Sequence, residues 1–268
     1  MRTFRAILCT AAVAACVSAG LIAAQPADAT STVNYVALGD SYSSGVGAGN
    51  YIGSSGSCDR STNAYPEQWD NANAPASFVS VACSGATTAD VLSSQVSTLS
   101  RATTLVSITI GGNDAGFSGV LETCVLEWTS ACLDAVSNAE NFIASQLPAR
   151  LNNTLQTIRA HAPAAKIVLL GYPELYDLSK SSSCIGLSTA DRTALNQAAD
   201  DLDGAMANAA KSNSDTFADV RAQFAGHEIC DSPRWLNSVN IFDISSSYHP
   251  TANGQELGYL PVFTAAAR

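Results

Sequence analysis

The chain has 268 residues, with 13 Lys and Arg against 23 Asp and Glu, and a formal net charge of −10. So acidic a balance excludes an electrostatic grip on nucleic acid, which depends on basic side chains neutralising phosphates. The length suffices for one well-buried domain and is short for two, and no internal repeat, charge run or Pro/Gly-rich linker divides it.

The N-terminus reads Met1-Arg2-Thr3-Phe4-Arg5, then runs apolar over residues 6–24, and ends in Ala27-Asp28-Ala29. A basic start, an apolar stretch and an Ala-x-Ala site make a secretory signal peptide. A transmembrane helix is disfavoured by context, because the run is alanine-rich, terminal and closed by that cleavage site. Val13-Ala14-Ala15-Cys16 offers a rival: a lipobox whose cleavage would leave a lipid-anchored protein. The apolar run continues past Cys16, which speaks against it. The expectation is therefore a signal peptide at 1–29, followed by a single domain at 30–268 that is exported and not stably inserted in a membrane. Removing the leader leaves 11 basic and 22 acidic side chains.

Cys58, Cys83, Cys124, Cys132, Cys184 and Cys230 lie in the exported part. An even set in an exported chain reads as disulfides. The sequential pairing, Cys58-Cys83, Cys124-Cys132 and Cys184-Cys230, needs no crossing of loops and is preferred. A zinc site is disfavoured, since no Cys-x-x-Cys pair exists and His161, His227 and His249 lie far apart in sequence. Neither a metal nor a cofactor is expected.

Short apolar runs at 34–38, 78–82, 105–110 and 166–170 read as strands, each stopping at a glycine-containing loop. Ile143, Leu147, Leu151, Leu155 and Ile158 line one face of a helix, which Pro148 should kink or restart. A second helix at 189–211 puts Leu195, Ala199, Leu202, Met206 and Ala209 on one stripe, with Ser188 and Asp191 as its cap. Strands alternating with helices imply an α/β protein, a mostly parallel sheet covered on both faces in three layers. Ligands of such sheets bind beyond the carboxyl ends of the strands, where those glycine loops lie.

Ester hydrolysis by covalent catalysis needs a hydroxyl nucleophile, a base, and donors aimed at the developing oxyanion. Ser41 follows the first strand in Gly39-Asp40-Ser41-Tyr42-Ser43-Ser44-Gly45; alone, it would be read as a turn residue or a helix cap. His249 lies near the C-terminus in Tyr248-His249-Pro250, whereas His161 and His227 stand away from any predicted strand end.

Four segments, in order, resemble the blocks of the SGNH (GDSL) hydrolases: Gly39-Asp40-Ser41, Gly85, Gly112-Asn113-Asp114 and His249-Pro250. The cysteines and overall size further resemble the family's secreted actinomycete lipases. The resemblance implies a flavodoxin-like α/β/α fold, Ser41 as nucleophile and His249 as base. It implies an oxyanion hole made by the backbone N–H groups of Ser41 and Gly85 and the side-chain amide of Asn113. The family's usual aspartate, three residues before the histidine, is absent: Ser246 stands there. The orienting group is then the backbone carbonyl of Ser246 or Ser247, in preference to Asp243. A carbonyl fixes the tautomer without neutralising the imidazolium. Activity should rise as His249 loses its proton, near the unperturbed pKa of about 6.5.

Two further patterns are set aside. Gly45-Val46-Gly47-Ala48-Gly49 lacks the spacing of a nucleotide loop and is read as flexible backbone beside the site. Asp200, Asp201 and Asp203, on a helix, are read as a solvated face rather than a calcium site. The resulting expectation is a monomeric extracellular lipase or esterase, acting on acylglycerols and also phospholipids, with a lipid or other ester as its partner. The alternatives are an acetylxylan-type carbohydrate esterase and an exported binding protein on the same fold. Acyl length, lid and head-group preference do not follow from these residues.

Overall fold

The computed structural model describes residues 32–180, 184, 186–240 and 242–268. The expected signal peptide, the lipobox alternative and the cleavage site lie outside the described residues.

Five parallel strands form one sheet: β1 (Asn34–Gly39), β2 (Ser77–Ser80), β3 (Leu105–Thr109), β4 (Lys166–Leu170) and β5 (Thr216–Ala218). Their order is β2-β1-β3-β4-β5, with Tyr35 opposite Leu105 and Leu105 opposite Lys166. The helices are α1 (Ser41–Ser44), α2 (Tyr65–Asn73), α3 (Thr88–Ser93), α4 (Phe117–Leu126), α5 (Thr129–Ser145), α6 (Leu147–His161), α7 (Thr189–Ser212), α8 (Arg221–Phe224) and α9 (Leu260–Ala267).

Alternation along the strands divides the core in two. Tyr35, Ala37, Val168 and Leu170 pack on one face with Trp69, Leu195 and Phe263, drawn from α2, α7 and α9. Val36, Leu38, Ile108 and Leu169 pack on the other with Val91, Leu151, Leu155 and Met206, from α3, α6 and α7. The protein is thus a three-layer α/β/α sandwich. Disulfides join Cys58 to Cys83, Cys124 to Cys132 and Cys184 to Cys230.

The helix expected through Pro148 is two helices, because the proline sits in the first turn of α6, where its missing N–H costs nothing. The capping box of α7 pairs Ser188 with Asp191, as its sequence suggests. β2 starts one residue before the apolar run and ends two before its close. Three expectations need correction. β5 was not foreseen, being a three-residue strand too short to show a period. Asp203 is not on a solvated face: it is fully buried and accepts from the Tyr172 N–H at 2.8 Å. Burial pushes its pKa up to about 8. Nor is the Gly45–Gly49 segment loose backbone, since the Gly47 carbonyl accepts from Asn237 Nδ2 at 3.1 Å and its Cα is packed against His249.

Candidate active site

β1 leads left to β2 in the sheet, while β3 and β4 run to the right, so the crevice between the ends of β1 and β3 is a topological switch point. Gly39 closes β1 at φ +123°, and a Cβ there would lie 2.5 Å from the Thr109 carbonyl oxygen. Only glycine lets the chain turn against β3 at this point. Asp40 then caps α1, accepting from Tyr42 N–H at 3.0 Å, and Ser41 becomes the helix's first residue.

His249 arrives from the far end of the chain. Its loop is held by an antiparallel bridge between Leu236 and Pro250 and by Asn237 N–H donating to the His249 carbonyl at 2.9 Å. The ring places Nε2 2.7 Å from Ser41 Oγ, across 208 positions of sequence. Its other nitrogen, Nδ1, lies 3.0 Å from the Ser247 carbonyl oxygen. A carbonyl only accepts, so Nδ1 carries the proton and Nε2 is left to accept from the Ser41 hydroxyl. Burial pushes the imidazole's pKa down to about 4, which replaces the expectation of an ordinary histidine near 6.5. Of the two candidate carbonyls, Ser246 and Ser247, that of Ser247 makes the contact. The exposed Asp243 carboxylate instead accepts from Ser245 Oγ at 2.6 Å.

Asn113 lies in the turn after β3 and donates from Nδ2 to the Ala86 carbonyl at 3.0 Å. That bond ties it to the loop carrying Gly85, which has φ +77° and open space where a Cβ would be. Its glycine is thus required by backbone conformation rather than by crowding. Among the described residues, the backbone N–H groups of Ser41 and Gly85 donate to no other residue. Ser41, Asn113 and His249 share one cleft of about 410 Å³, and Gly85 is not among the residues that line it. The cleft's walls are mostly apolar: Phe117, Leu121, Val125 and Leu126 of α4 face Val239 and Ile244 of the His249 loop.

Residues 37–257 match the model of the GDSL-like Lipase/Acylhydrolase family. The chain belongs to this family. It is 52% identical over 248 residues to Lipase 1 of Streptomyces coelicolor, covering 92% of each chain. Its fold superposes on the crystal structure of phospholipase A1 from Streptomyces albidoflavus NA297 with a TM-score of 0.86, at 51% identity, covering 88% of this chain and 99% of that one. The extracellular lipase of Streptomyces rimosus gives 0.85 at 51% identity, covering 87% and 99%. This GDSL protein is a carboxylic ester hydrolase.

Behind Ser41 the hydrolase carries a buried polar network that sequence reading missed. Asp40 Oδ1 accepts from Thr109 Oγ1 at 2.6 Å, and Oδ2 accepts from the Tyr172 hydroxyl. Ser43 Oγ pairs with Thr109 Oγ1 at 2.8 Å and with the Tyr65 hydroxyl at 3.0 Å. Burial pushes the Asp40 carboxyl up to about 6, against these stabilising hydrogen bonds. One available signal was Tyr172, which follows β4 after Gly171 in the same row of strand-end loops as Ser41 and Asn113. His161 ends α6, and the ring of His227 stacks on Trp235 at 3.7 Å, whereas the imidazole that meets Ser41 is that of His249.

Proposed function

We propose that this hydrolase is an exported lipase or esterase that cleaves the ester bonds of acylglycerols, and of phospholipids, through an acyl-enzyme on Ser41. In this reading residues 1–29 are its signal peptide and 30–268 a single, monomeric hydrolase domain. His249 Nε2 takes the Ser41 proton as Oγ attacks the ester carbonyl. The oxyanion is met by the N–H groups of Ser41 and Gly85 and by the second Nδ2–H of Asn113. As the intermediate collapses, the imidazolium gives its proton to the departing alkoxide. Water, deprotonated by the same imidazole, then releases the acid and returns Ser41.

The observation that carries the reading is the 2.7 Å contact of Ser41 Oγ with a histidine whose tautomer the Ser247 carbonyl fixes. The apolar walls of the cleft support an acyl chain over an acetylated sugar, whose ring hydroxyls would ask for polar partners. The lipase and phospholipase A1 names of its relatives support the same choice, and among the described residues no helix is long and apolar enough to cross a membrane. Labelling with a fluorophosphonate, followed by peptide mapping, should modify Ser41; folded protein that stays unlabelled would be a binding protein. Long-chain acyl esters should be hydrolysed in preference to acetylated xylan, and the reverse order would make it a carbohydrate esterase.

A further inference from the structure

We infer that the phenol of Tyr42 is a positioning group for the Ser41–His249 pair, holding the main chain before His249 in the conformation that aims the imidazole at the nucleophile. The inference rests on the roles proposed above for Ser41 and His249.

Tyr42 follows Ser41 directly on α1, yet its hydroxyl donates to the Tyr248 carbonyl at 2.7 Å, across 206 positions. The neighbour of the nucleophile thus grips the neighbour of the base. Tyr248 has φ +64°, a left-handed conformation that bulky residues rarely adopt and that persists only where its surroundings enforce it. The Tyr248 N–H donates to the Asn237 carbonyl at 2.9 Å, and two hydroxyls add to that hold: Tyr42 binds the Tyr248 carbonyl, and the Tyr176 hydroxyl pairs with that of Tyr248 at 2.9 Å. The brace is itself fixed. The Tyr42 carbonyl accepts from Nε2 of the fully buried Gln255 at 2.9 Å, and Gln255 Oε1 accepts from Tyr65 N–H at 2.9 Å. The Tyr42 ring lies 5.2 Å from the His249 ring, tilted 45° to it, while burial keeps the phenol protonated and donating.

The need for such a brace follows from what orients the imidazole. A carboxylate would attract the ring over several ångströms, but the Ser247 carbonyl can hold it only where the turn itself is held. Asp243 is the charged group that bears on the ring from that turn, and Ser41 and Tyr42 face it from α1.

The test compares full-length Tyr42→Phe, Tyr176→Phe, Tyr35→Phe and Ser41→Ala enzymes. Tyr42→Phe should lower kcat by about tenfold to a hundredfold with KM changed less than about twofold, since a misplacement of about 1 Å costs that much. The acid limb of its kcat/KM profile should move up as the loosened turn admits water to the imidazole. Tyr176→Phe should show a smaller loss with the same profile shift, and it carries the test if Tyr42→Phe does not fold. Tyr35→Phe, which removes a buried phenol bond to Ser107, should lower the melting temperature without moving the acid limb. A Tyr42→Phe enzyme that only melts earlier, with kcat and profile unchanged, overturns the inference. Turnover surviving in Ser41→Ala overturns instead the reading of the site on which it rests.

Discussion

His249 Nδ1 and the Ser247 carbonyl oxygen stand 3.0 Å apart, so main chain rather than a carboxylate accepts from the imidazole. Where an aspartate holds this position, exchanging it for asparagine costs on the order of 10⁴ in turnover by favouring the wrong tautomer. Here Asp243 is exposed and bonded to Ser245. Asp243→Asn should therefore keep kcat within about threefold of the parent, the residue left by losing a remote charge. Steady-state kinetics on a soluble acyl ester checks this; a drop of about several hundredfold in folded enzyme would return Asp243 to the triad.

In the proposed mechanism the lowered imidazole pKa sets the pH profile. A base must be unprotonated to accept from Ser41, and kcat/KM reports the pKa of the unliganded enzyme. With that pKa near 4, activity should stay on its plateau from neutrality down through pH 5.5 and fall only below pH 5. Rate measurements in a constant-ionic-strength buffer series decide the matter, and an acid limb centred near 6.5 would mean that the ring is solvated.

Asn113 offers one N–H to Ala86 and, in the proposed mechanism, the other to the oxyanion. Asn113→Ala should reduce kcat by about 10²–10³ while leaving KM within a few-fold, because the lost bond forms mainly in the transition state. Retention of more than about a third of the parent kcat would remove Asn113 from the oxyanion hole.

Gly47→Ala should damage both stability and rate. At φ +85° a side chain is strained, and its Cβ would sit 2.7 Å from Asn237 Nδ2 and 2.9 Å from His249 Cβ. The expected cost is about 1–3 kcal/mol in denaturant unfolding, with a fall in kcat as His249 is pushed aside. An alanine enzyme with unchanged stability and rate would show that this loop yields easily.

The parts of this molecule that are local in sequence could be read from it. Strand ends at Gly39 and Leu170, the Ser188–Asp191 cap and the restart at Pro148 each follow from a few adjacent residues. The segments carrying Ser41 and His249, which the fold brings within 2.7 Å, are each marked by adjacent residues, Gly39-Asp40 before the serine and Pro250 after the histidine. What could not be read was buried hydrogen bonding between distant side chains that belong to no motif: Tyr172 with Asp40 spans 132 positions, and no periodicity encodes it. Asp203 is an intermediate case. It falls four residues after Ala199 and three before Met206, on the apolar stripe of α7, so helical spacing alone argued for burial and charge misled.

Asp40 and His249 titrate in overlapping windows with opposite consequences for stability. The unfolded imidazole binds its proton near pH 6.5 and the folded one only near 4, so between these values the unfolded chain holds the extra proton and stability rises with pH. The unfolded Asp40 carboxyl releases its proton near 3.8 and the folded one near 6; here the folded protein holds the extra proton and stability falls with pH. The two slopes oppose each other from pH 4 to 6. Asp40→Asn removes one of them. Asparagine still caps α1 and still accepts from Tyr42 and Thr109, while the Tyr172 hydroxyl can turn to accept from its amide. The variant's unfolding free energy should therefore climb more steeply than the parent's between pH 4 and 6, by up to about 1.4 kcal/mol per pH unit. Urea titrations at half-unit intervals measure the difference directly. Parallel curves would mean that Asp40 ionises in the folded protein as it does in water, and that the network behind Ser41 holds a charge instead of a proton.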